Sequence, residues 1–418
     1  MDIFERLESN VRGYCRSFPT VFEKASGSVV YSENGRRYLD LFAGAGALNY
    51  GHNNQEIKAR VIEYFLEDNI LHALDMYTPA KRHFLEVFEE TILKPKGLNF
   101  KIQFCGPTGT NAVEAALKVA RRVTGRTDIL AFSGSYHGMT LGALSVSATE
   151  AARAAAGLPL RNARFAPYPN CESQVQDSIA AIEETIDSMS RDNGKPAACI
   201  LETVQAEGGI NVAPESWLKE LRRICDQHGI LLICDDIQVG CFRSGNFFSF
   251  ERADIVPDLI TLSKSISGIG FPMSILLMKP ELDVWKPGEH TGTFRGHQLS
   301  FVGASAALEY ANKIALPEKV RATSRYLQNR LTNEVAGLDS RIEVRGVGMI
   351  WGVDFSCINM DMAQRVSRLC FEDGMIIETA GKNDSVLKIL PPLTISEEEI
   401  DEGCDKIIVA AKSILKSY

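Results

Sequence analysis

The sequence predicts an α/β fold: a large domain built on a mostly parallel sheet, followed by a small α+β domain. Three observations carry this. The runs Gly229-Ile-Leu-Leu-Ile-Cys-Asp235 and Leu259-Ile-Thr-Leu262 are short, apolar and end abruptly at a charged or turn residue, as strands buried on both faces do. Similar runs at 101–105, 128–132 and 197–201 are each followed, directly or after a loop, by a stretch of helical periodicity. From about residue 301 the pattern changes to a helix pair, a strand-rich piece and a long terminal helix. The expected division is an N-terminal segment, 1–50, contributing to the small domain, a large domain, 51–300, and a C-terminal small domain, 301–418.

The chain opens with a helix-like piece and the turn Arg16-Ser-Phe-Pro19. Residues 27–42 read as a hairpin turned by Glu33-Asn-Gly35. The segment Ala43–Asn54 is small and glycine-rich, suited either to close approach of backbone to a ligand or to a plain connection. Helices are expected over 55–68 and 79–93. The strand Lys101–Cys105 runs through Gly106-Pro-Thr-Gly109-Thr110-Asn111 into a helix over 112–124, whose apolar face is Val113, Ala116, Leu117 and Ala120. A glycine turn there leaves free amides at the positive end of a helix, an anion site. No Gly-Lys-Ser/Thr follows, so a monophosphate fits better than a Walker-type nucleotide.

The strand 128–132 leads to Ser133-Gly-Ser-Tyr136-His137-Gly138, where an aromatic ring could lie flat on a planar ligand or simply fill the core. Residues 147–165 read as an exposed helical excursion and 174–190 as an amphipathic helix. The strand 197–201 ends in Glu202-Thr-Val-Gln-Ala-Glu207, carboxylates that are costly to bury without partners. A helix over 214–228 returns to the Asp235 strand. Beyond Lys264 lie Pro287–Gln298, helices over 299–337, strands over 342–355, a helix over 361–373, the strand 386–390 and a helix over 396–415.

At 418 residues, 45% hydrophobic and 23% charged, with formal charge -8, the chain has the balance of a globular protein without the basic face of a nucleic-acid binder. No apolar run approaches the ~20 residues needed to span a bilayer, and the N-terminus lacks signal-peptide character. The ten cysteines show no Cys-x-x-Cys pair and read as free thiols of a reducing compartment, so a cytoplasmic location is expected. The seven histidines show no metal-ligand spacing.

Asp235 and Lys264 should emerge at the same edge of the sheet, where ligands of open α/β sheets bind. A carboxylate and an amine held there suit pyridoxal 5'-phosphate (PLP): the lysine as its point of attachment, the aspartate as partner of the pyridine nitrogen. An ordinary strand-end lysine near an unrelated aspartate is the plain alternative.

Taken together, the motifs resemble the class III, or ω-amino acid, aminotransferases, PLP enzymes of fold type I. The resemblance covers nearly the whole chain. It implies a large domain with a mostly parallel, seven-stranded type of sheet. Lys264 and Asp235 would be the catalytic pair, Lys264 forming the Schiff base. Gly109 and Thr110 would hold the phosphate, and Tyr136 with His137 would form the ring-stacking motif. Ile237 would pack on the other ring face and Gln238 would reach the ring hydroxyl. Thr293 would cross a dimer interface to the partner's phosphate, so a homodimer or dimer of dimers with interfacial sites is implied. Glu207, Lys388 and Arg295 are the candidate substrate-binding residues.

Within the family the chain looks most like the L-2,4-diaminobutyrate aminotransferases of ectoine and some siderophore pathways. The resemblance rests on Tyr14–Pro19, Phe42–Asn54, Phe104–Lys118, Asp235–Gly240, Gly292–Gly296 and Leu387–Leu393. It implies a ping-pong exchange between a small-molecule amino donor and a keto acid, with no nucleic acid, membrane or metal partner. Another ω-aminotransferase (of ornithine, 4-aminobutyrate or a polyamine), a PLP lyase or mutase, and a silent homologue are the rivals. Two departures stand out. Lys388 replaces an arginine common in relatives, and lysine cannot make the same planar bidentate contact with a carboxylate. Arg295 and His297 stand where glycine and asparagine are usual.

Overall fold

The computed structural model describes residues 3–192 and 194–416. Strands β1 (Phe22–Ser26), β2 (Val29–Ser32) and β3 (Arg37–Asp40) form an antiparallel meander. The hairpin β2–β3 follows expectation, and β1 is an added strand. The glycine-rich 43–54 segment includes one short helical turn, Ala43–Gly46. Asn54 caps the next helix, Gln55–Leu66, by accepting from the amides of Glu56 and Ile57. Thr78 caps Pro79–Phe88, with proline at the first helical position.

The large sheet begins with β4 (Lys101–Gly106), β5 (Ile129–Phe132), β6 (Ala163–Ala166) and β7 (Ala198–Leu201). A two-stranded ladder, β8 (Val204–Gln205) and β9 (Asn211–Val212), follows. The sheet is completed by β10 (Leu231–Asp235), β11 (Leu259–Leu262) and β12 (Ser274–Met278). Its order is β4-β12-β11-β10-β7-β5-β6, seven strands of which β12 alone runs antiparallel to its neighbours. β5, β7, β11 and β12 are buried at every residue, which explains their lack of polar alternation.

Two of these strands depart from expectation. β6 takes up the end of the 147–165 stretch expected to be helical; only Glu150–Ala154 of that stretch is helical. Its pattern is weak because, as an edge strand, it buries one residue of four. β12 was not expected. Its Ser-Ile-Leu-Leu-Met sequence is equally compatible with a buried helix turn, and only pairing with β11 and β4 settles it.

The helix Gly109–Thr124 lies against β4, β11 and β12 and buries Ala112, Val113, Ala116, Leu117 and Ala120. It ends at Gly125, whose φ of 68° terminates the helix in the left-handed conformation that glycine adopts without strain. Helix Gln298–Lys313 packs on Pro79–Phe88 and Gln55–Leu66.

The C-terminal part holds β13 (Glu343–Val347), β14 (Ile350–Asp354), β15 (Met375–Ile376), β16 (Glu378–Ala380) and β17 (Val386–Ile389). A second sheet has the order β13-β14-β17-β16, all antiparallel, and is covered by Met362–Glu372. Strand β15 pairs in parallel with β3, so the N-terminal meander and the C-terminal part share a sheet. The terminal helix Glu397–Leu415 is capped by Ser396, with Glu399 answering in a capping box. Among the described residues no helix is long and apolar enough to cross a membrane, no His/Cys/Asp/Glu group could hold a metal, and the ten cysteines are unpaired.

Candidate active site

Parallel pairing of β10 with β11 sets Asp235 opposite Thr261, so the chain leaves both strands at one edge and Lys264 follows two residues beyond β11. Lys264 sits at φ 53°, a left-handed conformation rare for a residue with a Cβ and a mark of a constrained site. Its amine makes no hydrogen bond to any described residue. Burial pulls the Lys264 pKa down from 10.5 to about 8, against the opposing pull of Glu207 and Asp235.

Asp235 is held from three directions. Its Oδ1 accepts from the Ile237 amide at 3.2 Å and from Thr261 Oγ1 at 3.0 Å. Its Oδ2 lies 2.7 Å from His137 Nδ1, and both side chains are almost wholly buried. The carboxylate only accepts, so Nδ1 donates, and Nε2 of His137 is left buried with no partner among the described residues. The sequence placed His137 in a ring-stacking motif. Its observed contact is with Asp235, across 98 positions of chain. Tyr136, beside it, donates its backbone amide to Glu202 Oε2. Burial, reinforced by Asp235, holds the Glu202 carboxyl well above the usual range.

These groups line a cavity of about 300 Å³ together with Gly109, Thr110, Ile237 and Gln238. It reaches the N-terminus of Gly109–Thr124, where the Asn111 amide bonds Thr108 O and the Thr108 amide bonds Asn111 Oδ1, and the Gly109 and Thr110 amides are left without a partner among the described residues. Gly109 is needed here: a Cβ would lie 2.8 Å from Ile237 Cδ1. Thr110 Oγ1 is 2.6 Å from Thr140 Oγ1, which in turn donates to Glu114. Glu114 also accepts from the amides of Gly142 and Ala143. Gln238 donates Nε2 to Ala45 O at 2.9 Å, and its Oε1 is buried without a partner among the described residues.

The donor set fits pyridoxal phosphate. Anion-seeking amides stand at one end and a buried carboxylate faces the middle. A free amine is held nearby, and the orphaned Gln238 Oε1 waits for a polar partner. Seven of the residues expected to hold the cofactor, Gly109, Thr110, Tyr136, His137, Ile237, Gln238 and Lys264, line the cavity with Asp235. Thr293 does not: it is exposed on a separate face.

Of the three candidate substrate residues the structure brings two together. Lys388 Nζ lies 2.7 Å from Glu207 Oε1, and also 2.7 Å from Glu378 Oε2. Lys388 is wholly buried; burial works against its charge, but the two carboxylates outweigh that and raise its pKa. Glu207, which lines the cavity, is burdened by burial yet held below its ordinary value by Lys388 and Lys264. Glu378 is raised by burial, with Lys388 opposing the rise and Glu207 adding to it. Glu378 was missed by sequence reasoning, and so was Tyr14, whose phenol is pushed up to about 12 by burial and by Glu378 and Glu207. Glu378 has no local motif signal; Tyr14 opens the Tyr14–Pro19 run, but nothing local places it at this cavity. Arg295 is not brought into this cavity. It lines another, with Gln103, Trp285 and His290, because the Gly292–Gly296 run passes over a different part of the surface.

Comparison with known proteins agrees with this geometry. The family described as aminotransferase class-III matches residues 12–411. A diaminobutyrate--2-oxoglutarate transaminase of Bordetella parapertussis is 50% identical over 97% of this chain and 94% of its own length. Proteins of the same name from Nocardia farcinica (50% identical, 100% of this chain and 95% of its own) and Streptomyces coelicolor (48%, 99% and 98%) are similar. Among solved structures, the ornithine aminotransferase of Toxoplasma gondii superposes with a TM-score of 0.86 at 25% identity, covering 99% of this chain and 93% of that one. That structure is described as having partial occupancy of PLP at its active site.

Proposed function

The chain belongs to the class-III aminotransferase family, and from that premise we propose that it moves the terminal amine of L-2,4-diaminobutyrate to 2-oxoglutarate, and the reverse, with pyridoxal phosphate as cofactor. The products are L-aspartate 4-semialdehyde and L-glutamate, formed in two half-reactions. One observation carries the reading: a free, buried lysine amine with a depressed pKa, in one cavity with a triply held aspartate and an open helix N-terminus. The near-full-length similarity to diaminobutyrate--2-oxoglutarate transaminases supports the substrate pair.

When bound, pyridoxal phosphate supplies an aldehyde that takes up the amine and a ring that draws electrons from the reacting carbon. The protein's residues do the rest. Gly109 and Thr110 would hold the phosphate through their backbone amides at the helix N-terminus. Asp235, which accepts from His137, Thr261 and the Ile237 amide, would be the partner of the pyridine nitrogen. Ile237 and Tyr136 would pack against the ring, and Gln238 would reach its hydroxyl. Lys264 would anchor the cofactor, and its amine would take the proton from the substrate's terminal carbon and return it. A pKa of about 8 suits both directions near neutral pH.

The finer features of the reading concern assembly and setting. A second copy packs on the face bearing Thr293, supported by the exposed apolar side chains there: Tyr77 is 97% exposed, Phe294 63% and Met76 54%. Thr293 then completes the partner's phosphate site. Residues 1–50, 51–300 and 301–418 act as N-terminal segment, large domain and small domain, in keeping with the β3–β15 pairing. Ten free cysteines support a reducing, cytoplasmic setting. The chemistry suits ectoine or siderophore synthesis.

The test is the visible spectrum of the purified protein before and after L-2,4-diaminobutyrate is added without a keto acid. The expected result is loss of the bound-cofactor band, with one aspartate semialdehyde formed per site. A band that responds only to ornithine or 4-aminobutyrate overturns the substrate, and no band after pyridoxal phosphate is supplied overturns the reaction.

A further inference from the structure

Lys388 is fixed by its neighbours. On the antiparallel pair β16–β17 it stands directly opposite Glu378, so the two side chains share one face of the sheet. Its ammonium is 2.7 Å from Glu378 and 2.7 Å from Glu207, and none of its side chain reaches solvent. Swinging it away would take the ammonium from between two neighbouring carboxylates, one largely buried and one on the cavity wall. Glu207 itself hangs from the other side: its backbone carbonyl accepts from the Gly381 amide at 2.9 Å, which ties the cavity wall to the end of β16.

Two acidic side chains, Glu207 and Glu378, stand against the one ammonium of Lys388. Of the three, Glu207 meets the cavity: its side chain keeps 32% of its surface while Lys388 keeps none. Glu207 lines the cavity; Lys388 and Glu378 stand behind it.

We propose that Glu207, held by Lys388, which is itself pinned by Glu378, receives the second, non-reacting ammonium of the amino donor. Glu378 and Lys388 are positioning residues, and Lys388 does not serve as a carboxylate receptor in the keto-acid half-reaction. The chemical class selected is a diamino acid: a donor with a cationic group beyond the reacting amine. This rests on the diaminobutyrate reading given above and adds the residues that make it selective.

The test uses the holoenzyme and its Glu378→Gln and Glu378→Asp variants, assayed with three amines. L-2,4-diaminobutyrate carries the second ammonium, 4-aminobutyrate is the same skeleton without it, and L-glutamate reports the other half-reaction. Expected is a fall of about tenfold or more in kcat/KM for diaminobutyrate in Glu378→Gln. The constants for 4-aminobutyrate and glutamate should stay within about twofold of the parent, and Glu378→Asp should restore most of the loss. An equal loss on all three amines makes Glu378 merely structural and overturns the proposal. So does a loss confined to glutamate and 2-oxoglutarate, which would make Lys388 a keto-acid receptor. A parent enzyme inactive on diaminobutyrate but active on another amine overturns the substrate reading instead, so the two failures are distinguishable.

Discussion

His137 Nδ1 stands 2.7 Å from Asp235 Oδ2 in a pair with almost no solvent exposure, and this contact decides what the aspartate can do. A carboxylate buried beside the raised Glu202 would be costly as an anion without donors, and His137, Thr261 and the Ile237 amide supply three. Replacing Asp235 by Asn should cut kcat about a thousandfold, because the cofactor ring loses its anionic partner. His137→Phe removes one donor of three and should cost about ten- to a hundredfold. Steady-state kinetics on the two variants check the order; equal losses would mean that the histidine acts directly on the cofactor.

Lys264→Ala should abolish sustained turnover while leaving the secondary structure intact by circular dichroism. The altered residue lies past the end of β11, outside every strand of the sheet. Repeated turnover in that variant would sink the catalytic assignment.

Burial of Lys264 also makes a pH statement. Its folded pKa, about 8, is below its ordinary 10.5, so between these values the unfolded chain binds more protons than the folded one. Stability therefore rises with pH through that window, and the penalty is present in full below about 8. In cofactor-free protein, Lys264→Met should raise Tm at pH 7, and the gain should shrink as pH climbs from about 8 to 10.5. Thermal melts across that range measure it; a gain independent of pH would contradict it.

Gly138 has φ 125°, and a Cβ there would fall 2.5 Å from Thr110 Oγ1 and 2.7 Å from Thr110 Cβ. Thr110 is not free to retreat, since its hydroxyl is tied to Thr140 and through it to Glu114. Gly138→Ala should weaken cofactor binding about tenfold or more by displacing the phosphate cradle. Titration of the cofactor-free variant with pyridoxal phosphate gives the value.

Arg243 is wholly buried and donates to Asn49 Oδ1, Met349 O and Pro391 O, joining the glycine-rich segment to the C-terminal part. Arg243→Met strands three buried acceptors and should destabilise the fold by about 3 kcal/mol. Urea unfolding reads this directly.

The sheet strands that carry chemistry were legible because parallel strands covered on both faces write themselves as unbroken apolar runs. Asp235 and Lys264 mark the ends of two such runs. The turn Gly106–Asn111 was legible because a glycine between strand and helix has few other uses. β6 and β12 were not, the first because an edge strand need not be apolar, the second because five buried residues have no period to read. The long-range partners were equally invisible: His137 with Asp235, Arg243 with Asn49, and Glu378 with Lys388 and Glu207.

What could be read from the residues alone is the family and the apolar strands ending at Asp235 and before Lys264, since each rests on short stretches whose residue types have local physical causes. Only the tertiary structure decided which charges meet. The register of β16 against β17, fixed by the whole C-terminal sheet, sets Glu378 beside Lys388, and the packing of that sheet on the 204–212 ladder brings Glu207 to them. Coulomb energies act over a few ångströms of space, whatever the distance along the chain.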